Sequence, residues 1–259
     1  SATAPALEAP LADHVVIVTG ASAGLGAQLA AAVVGAGGHA VLAARRRERL
    51  DALAQRLGRA TAVQCDVGVE ADRYRLVERA LDHHGRLDGL VNAAGVSRPG
   101  PASRESLKTF REQLELNLVA PFALAQLAAA RMREQEGGGR SIVNVASVMG
   151  LRSLGQLPEA GYVASKAGLL GLTRELASQW GRHGIRVNAI APGFFPSEMT
   201  EGLIDARGGA PDWLVGNTPL ARVGRGGELD AAAVFLLSAG SAFMTGQTVV
   251  VDGGLSTRS

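Results

Sequence analysis

Short β-branched runs alternate along this chain with longer Ala- and Leu-rich stretches from residue 14 to residue 251. The runs His14–Thr19, Ala40–Ala43, Ala60–Gln64, Gly89–Asn92, Ser141–Ala146, Arg186–Ala191 and Thr248–Val251 read as strands. Between them, 24–36, 46–57, 70–84, 104–134, 162–182 and 228–239 read as helices. Such alternation predicts an α/β fold with a doubly wound parallel sheet of about seven strands and helices on both faces. Ligands of such sheets sit outside the carboxyl ends of the strands. No charged or Pro/Ser-rich linker divides the chain and no solenoid-period repeat occurs, so 13–259 is expected to be one domain behind a loose Ala/Pro-rich arm at 1–12. A long Gly- and Pro-containing segment, 194–226, reads as a lid over a pocket.

Composition removes several classes. Of 259 residues nearly half are hydrophobic, few are aromatic, and the formal net charge is only +2. No long basic run with interleaved aromatics supports nucleic-acid binding. No apolar run is long enough for a membrane span, and the N-terminal residues lack the basic-then-apolar order of a signal peptide. The single cysteine, Cys65, sits in an apolar stretch and reads as a core residue, which fits a cytoplasmic protein. The five histidines form no metal pattern, and His83-His84 before Gly85 reads as a helix end. No metal is expected.

The sharpest chemical signal is Tyr162-Val163-Ala164-Ser165-Lys166. Only two tyrosines and two lysines occur in the chain, yet one of each stands four residues apart. On a helix that spacing places both side chains on one face, where an ammonium would favour the phenolate and lower a pKa of about 10. Arginine, with its planar fork, would be a poorer neighbour than a compact ammonium.

A second signal follows the first strand: Thr19-Gly20-Ala21-Ser22-Ala23-Gly24-Leu25-Gly26, then an Ala-rich helix. Glycines there permit a tight turn and leave a helix N-terminus open to a pyrophosphate, with Gly20, Ser22, Ala23, Gly24, Leu25 and Gly26 as the contacting residues. The second strand ends in Ala44-Arg45-Arg46-Arg47, with no carboxylate to meet a ribose 2′-OH. A guanidinium from Arg45, or from Arg46 beside it, suits a 2′-phosphate by charge and fork geometry, so NADP(H) is favoured over NAD(H). The same arginines also suit a solvated helix start. Asp66 ends the third strand and fits either an adenine amino group or a helix N-cap.

Together these residues resemble the short-chain dehydrogenase/reductase family from about residue 13 to 254, and within it the gluconate 5-dehydrogenase-like and 3-oxoacyl-carrier-protein-reductase-like members. The resemblance implies a single-domain Rossmann-type fold. It also places Asp66-Val67 at the adenine, Asn92-Ala93-Ala94-Gly95 beside the cofactor, and Asn117, Ser147, Tyr162 and Lys166 as the catalytic set. Pro192-Gly193, with Phe195 and Ser197 after it, would close the nicotinamide side. Three departures stand out. Ala93 replaces a usual asparagine, and the fifteen residues from Ser147 to Tyr162 slightly exceed the family's spacing, so Leu151–Gly161 would reshape one pocket wall. The hydroxyl directed at the carboxamide would come from Ser197 or Thr200.

The implied chemistry is hydride transfer between the nicotinamide and a ketone or secondary alcohol. Ser147 would hold the carbonyl oxygen and Tyr162 would exchange its proton. Lys166 would bind the ribose and bias the phenol. Asn117 would hold a proton-supplying water, or be a buried asparagine satisfied by backbone. The polar candidates nearest the substrate, Arg98, Arg152, Gln156 and Glu159, read as solvated surface. A 3-oxoacyl-thioester reductase and a non-enzymatic NADP-sensing regulator are the alternatives. Family members form tetramers or dimers, so a homotetramer is expected, with a small-molecule substrate and neither nucleic acid nor membrane as a partner.

Overall fold

The computed structural model describes residues 9–137, 139–205 and 208–258; the first eight residues of the predicted arm and residues 206 and 207 of the predicted lid lie outside them. Its strands are β1 Val15–Thr19, β2 His39–Ala44, β3 Ala60–Gln64, β4 Gly89–Asn92, β5 Arg140–Val145, β6 Ile185–Pro192 and β7 Thr248–Val251. All pair in parallel in the order β3-β2-β1-β4-β5-β6-β7, within a residue or two of the predicted boundaries. The helices are α1 Gly24–Gly35, α2 Arg47–Leu57, α3 Glu70–His84, α4 Leu107–Leu114, α5 Ala120–Glu134, α6 Ala160–Trp180, α7 Asp212–Asn217 and α8 Asp230–Leu237.

β1 shows how the sheet is held. All five of its residues are buried, and they alternate between two cores. Val16 and Val18 pack with Leu29 of α1, Leu50 of α2 and Leu236 of α8. Val15 and Ile17 pack with Leu76 of α3, Leu124 of α5 and Leu176 of α6. Each fully buried aliphatic side chain contributes about 1.5–3 kcal/mol. Cys65 lies in the second core, where burial pushes its thiol up to about 12.

The run 104–134 is not one helix. Ser106 caps α4 by accepting from the Thr109 amide at 3.0 Å, and residues Glu115–Val119 form a π turn before α5. Pro121 is the cause: it has no N–H for the Asn117 carbonyl, and its ring would clash there in a regular helix. The Ala120 amide reaches back to the Glu115 carbonyl instead. π turns of this kind often mark functional sites. α7, inside the predicted lid, is too short for its periodicity to be read.

The strand order reverses between β1 and β4. Their carboxyl ends therefore open the crevice in which such sheets take ligands. Among the described residues no helix is long and apolar enough to cross a membrane.

Candidate active site

The loop after β1 and the segment after β4 are tied into one wall. Thr19 Oγ1 accepts from the Ala93 and Ala94 amides, each at 3.0 Å. Gly20 has φ 69°, and a Cβ there would lie 3.0 Å from the Ala93 carbonyl and from Ala94, so only glycine fits. Ala23 stands before α1 with no side-chain cap, leaving the first amides of the helix, around Gly24, Leu25 and Gly26, without a side-chain acceptor. Deeper in, Asn92 Nδ2 donates to Asn144 Oδ1 at 2.9 Å, and Asn144 Nδ2 donates to Thr173 Oγ1 at 3.0 Å.

At the outer end it is Arg46 that faces the loop. Its Nε and Nη2 donate to Ser22 Oγ at 3.1 and 2.9 Å, and its Nη1 donates to Glu198 Oε1 at 3.0 Å. Arg49 pairs with the same carboxylate. Arg45, the sequence's first choice, is exposed, and its carbonyl accepts from Gln64 Nε2 at 2.9 Å. Asp66 Oδ1 accepts from the Gly68 amide at 2.9 Å and so closes the turn into α3. The N-cap itself is Val69, which answers the N-cap alternative for Asp66. Val67 offers its carbonyl to Arg73 at 2.6 Å.

The catalytic candidates converge at the carboxyl ends of β4 and β5. Tyr162 and Lys166 sit one turn apart on α6, both buried, with Nζ 5.7 Å from the centre of the phenol ring. Lys166 Nζ donates to the Val145 carbonyl at 2.8 Å, and Ser147 follows two residues later. Ser147 Oγ accepts from the Met149 amide at 3.1 Å. Burial pushes the Tyr162 phenol up to about 12, with its hydrogen bond to Ser147 pulling the other way. Burial brings the Lys166 ammonium down to about 8. The phenol thus moves opposite to the depression its neighbouring lysine suggests, because loss of solvent outweighs every other influence.

Asn117 is fully buried on the π turn. Its Oδ1 accepts from the Val96 amide at 2.8 Å, and its Nδ2 donates to the Val96 carbonyl at 2.9 Å and to Ser165 Oγ at 3.0 Å. It clamps the end of the Asn92–Gly95 segment onto α6. A Cβ on Gly95 would lie 3.0 Å from Asn117 Oδ1 and 3.6 Å from Lys166 Nζ, so these residues share one spot.

Glu159 is a correction: it is not solvated. It is buried, accepts from Ser97 Oγ at 2.6 Å, and is held above the ordinary carboxylate range by burial and by Glu105 nearby. Sequence gave one signal, its place just before a helix N-terminus, but not the loop that covers it. Arg152 is partly buried, its Nη1 donating to the Leu255 carbonyl at 2.7 Å. Arg98 donates from Nη1 to the Ser97 carbonyl at 3.0 Å and is exposed.

The segment after Pro192-Gly193 runs back over the crevice. Gly193 donates to the Val251 carbonyl at 2.9 Å, and Phe195 is buried against Gly224. Ser197 lies over Gly24, whose added Cβ would meet the serine Cβ at 3.2 Å. Thr200 Oγ1 accepts from the Ser197 amide at 2.9 Å and donates to the Phe195 carbonyl at 2.7 Å, so it serves the turn. Beyond it, Ile204, Leu214 and Val223 form an apolar cluster with Tyr162, Met149 and Leu154, and Trp213 packs on it. Among the described residues no group of three or more His, Cys, Asp or Glu is arranged to hold a metal.

A family model described as enoyl-(acyl carrier protein) reductase matches residues 20–256. Gluconate 5-dehydrogenase of Gluconobacter oxydans is 39% identical over 247 residues, covering 93% of each chain. The 3-oxoacyl-[acyl-carrier-protein] reductase of Homo sapiens is 39% identical over 244 residues, covering 94% of this chain and 98% of that one. A short-chain type dehydrogenase/reductase from Mycobacterium marinum superposes with a TM-score of 0.91 at 30% identity, over 97% of this chain and 98% of its own. A gluconate 5-dehydrogenase from Burkholderia cenocepacia, in complex with NADP and tartrate, superposes with a TM-score of 0.90 at 32% identity, over 98% and 99%. With its seven-stranded parallel sheet, its glycine turn and its buried Tyr162–Lys166 pair, the chain belongs to the short-chain dehydrogenase/reductase family of oxidoreductases.

Proposed function

We propose that this protein is an NADP(H)-dependent oxidoreductase that interconverts a ketone and a secondary alcohol, with Tyr162 as acid and base. The observation that carries the reading is the meeting of Ser147, Tyr162 and Lys166 beside the glycine turn. The crevice fits a dinucleotide: no Cβ projects from Gly20, the first amides of α1 have no side-chain cap, and Arg46 lies over the loop at Ser22. When bound, the nicotinamide gives or takes the hydride. Ser147 Oγ would donate to the substrate oxygen, where an oriented donor favours developing charge. Tyr162 would deliver a proton to that oxygen in reduction and remove it in oxidation. Lys166, held at the Val145 carbonyl, would set the charge felt by the phenol. Asn117 would keep Val96 and α6 in register, with both amide hydrogens used and one oxygen lone pair left for a relay water.

Arg46, and Arg45 next to it, would take a 2′-phosphate, and the Burkholderia relative's NADP complex supports that preference. The apolar cluster around Tyr162 supports a substrate with hydrophobic surface. The human relative's name favours a second reading, reduction of 3-oxoacyl thioesters. Exposed Leu107, Phe235 and Phe243 on α4, on α8 and just after α8 support a homotetramer or dimer, and a cytoplasmic site fits the rest. Removing the Tyr162 hydroxyl by Tyr162→Phe should lower NADPH-dependent turnover about 100-fold or more. Near-normal turnover of a ketone or acetoacetyl-thioester substrate by that variant would end the assignment.

A further inference from the structure

Glu198 stands in a position that the proposed chemistry does not use. It belongs to the segment that leaves Pro192-Gly193, passes Ser197 over Gly24, and then reaches the start of α2. There both of its oxygens meet arginine. Oε1 accepts from Arg46 Nη1 at 3.0 Å, Oε2 lies 2.9 Å from Arg46 Nη2, and Arg49 closes on Oε1. Arg47 is not part of the fork, since it pairs with Asp51 at 2.8 Å on its own helix. The fork therefore consists of Arg46 and Arg49, with Ser22 Oγ beneath it.

A planar carboxylate gripped by two guanidinium groups has the charge and bidentate geometry that these arginines would offer a phosphate. A ribose 2′-phosphate carries more negative charge than a carboxylate and cannot share the fork with one without repulsion. A ribose 2′-OH has no such claim on it. We infer that Glu198 is a specificity-determining residue, an internal stand-in for the 2′-phosphate that must leave the Arg46–Arg49 fork when a 2′-phosphorylated nucleotide binds. The inference rests on the NADP(H) reading above. Displacement frees the Ser197–Thr200 turn at the moment the adenosine end is seated, so the far end of the cofactor is felt by the segment that runs from its nicotinamide end. A nucleotide without the 2′-phosphate leaves the Glu198 contact in place.

The test uses binding of fragments to the intact protein at fixed ionic strength, since exposed ion pairs are screened by salt. The probes are 2′,5′-ADP and 5′-AMP, titrated calorimetrically into wild type, Glu198→Gln and Arg46→Gln. These positions are exposed on the surface, so the substitutions do not disturb the core. Glu198→Gln is expected to tighten 2′,5′-ADP by about three- to tenfold while 5′-AMP changes by less than about twofold, the scale of two exposed pairs. Arg46→Gln is expected to weaken 2′,5′-ADP selectively. If Glu198→Gln leaves the ratio of the two dissociation constants as in wild type while Arg46→Gln weakens 2′,5′-ADP, the role of Glu198 is overturned and the arginine reading survives. If Arg46→Gln leaves 2′,5′-ADP binding intact, Arg46 does not hold the 2′-phosphate and the role of Glu198 falls with it; if wild type binds 2′,5′-ADP no more tightly than 5′-AMP, the NADP(H) reading itself falls.

Discussion

Replacing Lys166 by methionine is expected to stabilise the nucleotide-free protein at neutral pH while abolishing turnover. The ammonium is buried and donates to the Val145 carbonyl at 2.8 Å; among the described residues it makes no ion pair. Burial brings it from 10.5 to about 8, with no opposing influence. That difference corresponds to about 3 kcal/mol against the charged folded state. Methionine keeps the length and apolar stem but leaves the Val145 carbonyl without this donor, a loss of about 1–2 kcal/mol. The balance favours the variant by about 1–2 kcal/mol, or about 2–8 °C in Tm for a chain of this size.

The sign with pH follows from the same shift. The folded pKa lies below the unfolded one, so between about pH 8 and 10.5 the unfolded chain holds a proton that the folded chain has released. Where the unfolded state binds more protons, stability rises with pH. The wild type therefore recovers its deficit across that window, so the advantage of Lys166→Met is full below about pH 8, vanishes between about pH 9 and 10, and is reversed by the lost Val145 hydrogen bond near 10.5. Tyr162, raised to about 12, acts oppositely above pH 10, but it is present in both proteins and its effect cancels in the difference if it titrates alike in each. Thermal melts of both proteins without nucleotide, from about pH 6 to about 10.5, measure this directly. A variant that melts below wild type at pH 7, or a Tm difference that does not shrink with pH, would refute the argument.

Two further substitutions separate the lid from the scaffold. Gly224→Ala would drive a methyl group into the Phe195 ring, and such overpacking costs about 1–3 kcal/mol. Because Phe195 anchors the segment over the crevice, KM should rise more than kcat falls; unchanged kinetics would show that Phe195 does not position the lid. Arg186 is buried at the opposite end of the sheet, its Nη1 donating to the Leu236 carbonyl at 2.8 Å and to Ser241 Oγ at 2.7 Å, and its Nη2 to the Ser238 carbonyl at 3.1 Å. Arg186→Met should lower stability by about 1–2 kcal/mol, since three hydrogen bonds are lost but the Leu236 and Ser238 carbonyls keep the Ser141 and Ser241 hydroxyls as donors, while turnover per folded molecule stays at wild-type level. Urea melts paired with active-site-normalised rates test both halves.

Much of the architecture was legible because its signals are local. The central strands are short, largely apolar and buried from end to end, as β1 and β6 are, so their boundaries stand out from the helices beside them. The spacing of Tyr162 and Lys166 is a helix property and survives into the fold. The glycine turn is legible because Gly20 has no tolerable Cβ. The break at residues 115–119 was written in Pro121 but masked by the leucine-rich run around it. What was not legible depends on distant contacts. Arg46 rather than Arg45 meets the loop because of the turn between β2 and α2, and its carboxylate lies 152 residues away in sequence. The burial of Glu159 comes from Ser97, 62 residues before it.

The phenol is the most instructive case. Sequence shows a cation one helical turn from Tyr162 and argues for a lowered pKa; it cannot show the solvent that both side chains lose. In the fold, three titratable groups around the site all move toward their neutral forms: Tyr162 up, Lys166 down and Glu159 up, each chiefly through burial. Such a site disfavours any isolated charge, and for that reason a charge arriving in it acts strongly on its neighbours. Negative charge growing on a substrate oxygen beside Ser147 would raise the Lys166 pKa and hold its proton, while a positive charge beside the phenol would draw Tyr162 down toward working pH. The fold thus shifts each proton-carrying group toward its neutral form while Lys166 stays charged at neutral pH, and charge on the reacting molecule is what moves them further.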